Sequence, residues 1–114
     1  MSVFETTRET LKRLSVRVGR PVIMLSGAEN KLKYICDMTE YIIDEFEAET
    51  YTVSIVPESL ILEISVQVPE MVIEDCENHV VFKLVEMCDI FGLSVDGENI
   101  SIDMSIGNLF SIAR

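Results

Sequence analysis

The sequence predicts an α+β fold, a two-layer sandwich with helices on one face of a mainly antiparallel sheet, in the order α-β-α-β-β-α-β-β. Three observations lead there. Two long stretches carry apolar residues at helical spacing on one face. Other segments alternate apolar and polar residues with a period of two. The alternating segments come in pairs joined by short turn-like links, which makes them antiparallel hairpins. Elements with one dry face bury it by stacking, and helices laid on a sheet are the two-layer solution.

Residues 3–14 read as a short helix, with Phe4, Leu11 and Leu14 on one side. Residues 22–25 form an apolar run bounded by Pro21 and Gly27, the pattern of a strand. Residues 28–47 are the clearest helix. Ser26 is placed to cap it, with Glu29 three residues later at capping-box spacing. Leu32, Ile35, Cys36, Thr39, Ile42, Ile43 and Phe46 follow the helical period, while Tyr34, Met38 and Tyr41 make a second stripe.

The period then changes to two. Tyr51, Val53 and Ile55 alternate with Thr50, Thr52 and Ser54; Leu60, Leu62, Ile64, Val66 and Val68 alternate with Ile61, Glu63, Ser65 and Gln67. Residues 57–59, "PES", join the two runs into a hairpin. Residues 76–91 read as a helix with Val81, Leu84, Val85, Cys88 and Phe91 on one face, Asp75 as its cap and Gly92 as its stop. A second hairpin follows: "LSV", a turn at "DGEN", then a strand with Ile100, Ile102, Met104 and Ile106 on one side. The whole reads as one domain over residues 1–114. It divides into a basic N-terminal helical arm (1–20), a core (21–106) and a C-terminal tail (107–114) that carries Leu109, Phe110 and Ile112.

Bulk properties narrow the function classes. A 48% hydrophobic, 25% charged chain of 114 residues buries an ordinary core. The longest apolar run, residues 22–25, is far too short to cross a bilayer. The first residues carry no apolar h-region, and three cysteines without a C-x-x-C pair suit a reducing compartment, so the expected location is the cytoplasm. The net charge of −11 is uneven. Residues 1–20 hold five of the nine basic residues, leaving residues 21–114 at −14. Such a body repels phosphate backbones, and no nucleic-acid partner is expected. The basic arm suits an acidic surface instead: its own body, a neighbouring subunit or another protein.

The densest chemistry lies in "IEDCENHVVF", residues 73–82, where Cys76 and His79 stand among Glu74, Asp75 and Glu77. A zinc site needs about four converging ligands, and His79 is the only histidine. A calcium loop needs a glycine that this stretch lacks. A Cys76–His79 nucleophile needs a thiolate, which three neighbouring carboxylates oppose. Helix-start chemistry explains most of these residues, because acidic side chains belong in a first turn. No metal, cofactor or nucleotide is expected: the chain has no P-loop, no G-x-G-x-x-G and no G-x-S-x-G.

Residues 80–106, "VVFKLVEMCDIFGLSVDGENISIDMSI", combine a helix, a strand, a D-G-x-N turn and an alternating strand. This resembles the C-terminal end of the small anti-sigma-factor kinases of the histidine-kinase-like (GHKL) ATPase superfamily. That family binds Mg-ATP through a helical Asn and a D-x-G-x-G loop. Here the corresponding loop position reads "VQVPEMVIED", and Asn30 stands at the start of the long helix. The resemblance therefore implies the fold and a protein-binding habit without the nucleotide site.

The expected function is a non-catalytic regulatory or adaptor domain acting through protein contact, a degenerate anti-sigma-factor-like module. The alternatives are an acidic dimeric chaperone-like protein holding a partner segment and a small enzyme using Cys76 and His79. The expected interface is built on Tyr34, Met38 and Tyr41, with a homodimer or a protein partner across it, rimmed by the basic residues Arg8 to Arg20.

Overall fold

Helix α1 (Val3–Val18) starts at Ser2, whose Oγ accepts the Glu5 amide at 3.1 Å. It runs four residues beyond the expected end because nothing before Gly19 breaks it. Gly19 sits at φ +76°, and the Gly19 and Arg20 amides both close onto the Ser15 carbonyl. The extra turn left no periodic signal because Val16 and Val18 face solvent. The buried side of α1 is Val3, Thr7 and Leu14, with Phe4 and Leu11 half-buried beside them. A computed structural model describes residues 2–69 and 77–113 of the chain.

Strand β1 (Val22–Met24) does not enter the main sheet. It pairs antiparallel with β6 (Phe110–Ile112), Ile23 opposite Ser111, so part of the expected tail is a strand. Helix α2 (Ala28–Glu45) is the expected long helix, burying Leu32, Ile35, Cys36, Met38, Thr39 and Ile42. The capping box at Ser26 does not form. The cap position falls on Gly27 at φ +79°, which offers no side-chain acceptor.

Strands β2 (Thr50–Ile55) and β3 (Leu62–Val68) make the first hairpin, with Tyr51 opposite Val66 and Val53 opposite Ile64. Helix α3 (His79–Met87) is capped by Asn78, whose Oδ1 accepts the Val80 amide at 2.8 Å. The Asp75 cap and residues 70–76 lie outside the described residues. The helix ends at Met87, short of the expected 91. Residues Ile90–Asp96 form β4, and Gly92, expected as the helix stop, sits inside it opposite Asp103. Pairing explains the change: Phe91, Leu93 and Val95 stand opposite Met104, Ile102 and Ile100 of β5 (Asn99–Ile106), a ladder that the last helical turn cannot match. Gly97 at φ +67° makes the turn between β4 and β5.

The four-stranded sheet has the order β2-β3-β5-β4, antiparallel throughout. One face is dry: Leu62, Ile64, Val66 and Val68 of β3 and Ile102, Met104 and Ile106 of β5 are all buried. The helices supply the other layer, with α1 against β2 and α2, and α2 against α3. This is the expected α+β order with one further short strand, and α1 belongs to the same core cluster as the sheet.

Candidate functional site

Helix α2 splits the Tyr–Met stripe. Tyr34 is 49% exposed and Tyr41 39%, whereas Met38 is 7% exposed and belongs to the core. The helical period causes the split. Positions 34 and 41 are two turns apart on the outer side, while 38 leans with 35 and 42 toward the interior. Asp37 and Asp44 are exposed on the outer side near the two tyrosines.

Contacts from α1 hold this surface in place. The Val3 amide donates to Glu40 Oε1, and Lys33 Nζ stands 5.6 Å from the centre of the Phe4 ring. Between the helices Thr7 is buried, donates to the Val3 carbonyl at 2.8 Å and hydrogen-bonds Cys36. Burial pushes the Cys36 thiol up to about 11, with Asp37 and Glu40 adding to the rise against that Thr7 bond. Burial likewise pushes Cys88 up to about 11, helped by Asp89. For both thiols the shift favours the protonated form at neutral pH and opposes thiolate chemistry.

His79 is exposed at the first position of α3, and Cys76 lies outside the described residues. Among the described residues no group of three or more His, Cys, Asp or Glu side chains converges as a metal site would.

Helix α1 carries its cations on two sides. Arg8 lies near Glu5, Glu9 and Lys12, and Lys12 pairs with Glu9 at 3.6 Å. Lys12, Ser15, Val16, Gly19, Arg20 and Pro21 border an open depression of about 530 Å³. Arg13 and Arg17 face the other way, onto a groove of about 240 Å³ shared with β2. All five cations are exposed, and among the described residues none of the four arginines has an ion pair.

The wet face of the sheet holds a cluster that sequence reasoning missed. Asp103 Oδ1 accepts from Ser65 Oγ at 2.8 Å and Ser101 Oγ at 2.9 Å, and its Oδ2 accepts from Ser94 Oγ at 3.3 Å. Gln67 Nε2 donates to Ser101 Oγ at 2.9 Å, while the buried Gln67 Oε1 has no partner among the described residues. These serines lie on three strands, and only the register brings them together. The one available signal was that several alternate positions of these runs, Ser65, Ser94, Ser101 and Ser105, are small hydroxyls, which looks the same as ordinary solvation.

No family model, curated protein or solved structure matches the chain.

Proposed function

We propose that the chain is a non-catalytic regulatory or adaptor domain that works by protein–protein contact, a degenerate anti-sigma-factor-like module that self-associates through α2. One observation carries this reading. Tyr34 and Tyr41 stand exposed two turns apart on a helix whose other side is locked into the core. Rigid aromatic side chains on a fixed element make contact area at low entropic cost, and tyrosine is enriched at interfaces. Asp37 and Asp44 beside them favour a cationic counterpart, which the exposed Arg8, Lys12 and Arg20 of a second copy supply.

Light scattering tests it. The parent chain should be a dimer at micromolar concentration, and Tyr34→Glu/Tyr41→Glu should be a monomer with an unchanged circular dichroism spectrum. Association should weaken from low to high salt, because the exposed charges involved lie within screening range. A parent that stays monomeric, or a dimer indifferent to both substitutions, overturns the reading.

A further inference from the structure

The groove between α1 and the outer edge of β2 has a form that selects its occupant. Thr10, Arg13, Leu14 and Arg17 line it from α1, and Val53, Ser54 and Ile55 from β2. No residue of β3 lines it, so it opens on the side of β2 that has no strand neighbour among the described residues. Helix and strand run alongside each other. Thr6 Oγ1 meets the Tyr51 hydroxyl at 3.0 Å near their starts, and the groove lies near their ends. The floor is apolar where Leu14 and Ile55 are buried, and the rim is cationic.

We propose that this groove docks an extended acidic segment of a partner protein, added as a fifth strand along β2. The proposal rests on the reading that the chain works by protein contact, but it places a different surface, away from Tyr34 and Tyr41. Two features support it. First, an edge strand presents a row of backbone donors and acceptors that an extended peptide completes. Second, the two arginines match such a peptide in spacing. Residues four apart on a helix are separated by about 6 Å along the axis. Alternate residues of an antiparallel strand are separated by about 6.8 Å. Two acidic side chains at alternate positions of the added strand therefore reach Arg13 and Arg17 together, each in a charge-assisted contact. Neither guanidinium has an ion pair among the described residues.

The same geometry argues against other occupants. A second copy pairing β2 with β2 would bring its own Arg13 and Arg17 against this pair, like charge on like. A lipid surface would find the arginines but leave the strand edge unsatisfied.

The test uses the full chain and a synthetic peptide of about twelve residues alternating Glu with Val, a length that spans β2 with room to spare. Its partner probe replaces each Glu by Gln. NMR titration with ¹⁵N-labelled protein reads the site. The Glu peptide should bind, shift the amides of Val53, Ser54 and Ile55, and slow hydrogen exchange along β2. The Gln peptide should bind about tenfold or more weakly, and Arg13→Glu/Arg17→Glu should lose the Glu peptide by a similar factor. That variant alters exposed side chains only, and its thermal melt should match the parent's. Equal binding of the two peptides, no binding of either, or shifts that map elsewhere overturn the proposal. So does binding of phosphatidylserine vesicles without binding of the peptide, or a dimer that Arg13→Glu/Arg17→Glu strengthens. The Tyr34→Glu/Tyr41→Glu chain should still bind the Glu peptide. If the peptide fails while those tyrosines govern dimerisation, the groove is wrong and the protein-contact reading stands.

Discussion

A few residues sit where backbone geometry sets the energy. Gly19 ends α1 at φ +76°, a conformation that any L side chain adopts at a cost, so Gly19→Ala should lower stability by about 1 kcal/mol in a urea titration. Glu47 is the converse case. It follows α2 at φ +51°, exposed, while the Ala48 amide closes onto the Ile43 carbonyl at 2.9 Å. Glu47→Gly relieves that strain and should raise stability, by up to about 1 kcal/mol. The buried thiols give a pH signature. Folding raises Cys36 and Cys88 from 9.0 to about 11, so the folded chain holds those protons more tightly than the unfolded chain. Their contribution is complete below pH 9 and is lost as pH rises through about 11. Urea titrations on either side of that window should show the parent losing more stability than Cys36→Ala/Cys88→Ala; parallel curves would refute it.

At the scale of elements, the central strands β3 and β5 carry the most energy because both flanks are paired and one face is dry. Ile64 is fully buried in β3, and Ile64→Ala should cost about 2–5 kcal/mol, while Ile64→Val should cost only about 1 kcal/mol. The wet face contributes through satisfied polar groups. Asp103→Ala strips the acceptor from Ser65, Ser94 and Ser101 and should cost about 1–2 kcal/mol, whereas Ser94→Ala, the longest and most exposed of the three bonds, should cost about 0.5 kcal/mol or less. A denaturant midpoint for each variant separates these ranks. The edges behave differently. Leu93 is 45% exposed and Val95 82%, although both share a face with buried residues of β5, because β4 has no further strand beside it among the described residues.

For the whole molecule, the basic arm proves to be structural as well as cationic. Val3 and Leu14 belong to the core, and the Ser15 hydroxyl accepts the Val22 amide at 2.9 Å, tying α1 to β1. Deleting residues 1–20 should therefore abolish cooperative unfolding, read as a flat thermal transition, and not merely remove five basic side chains. The tail is bound in as firmly. The Leu25 amide donates to the Leu109 carbonyl at 2.8 Å and the Ala113 amide to the Pro21 carbonyl at 2.8 Å, so the tail closes on the segment around β1, which lies beside α1.

The α+β class, the order of the main elements and the dry side of β2, β3 and β5 could be read from the residues alone, because periods of two and of about 3.6 are imposed locally by side-chain direction. Leu62, Ile64, Val66 and Val68, and Ile102, Met104 and Ile106, were legible for that reason, and the fold buries all of them. What depends on partners distant in the chain was set by packing and pairing instead. Residues 88–91 left the helix because β5 offered a ladder, and Phe110 became strand because β1 lay beside it. Met38 turned inward while Tyr34 and Tyr41 stayed out, a choice the stripe alone did not contain because it depends on how α2 is rotated over its neighbours. The Asp103 cluster and the Arg13–Arg17 groove were invisible for the same reason. Each is assembled from elements dozens of residues apart, and strand register or helix placement, not local spacing, brings their side chains within reach.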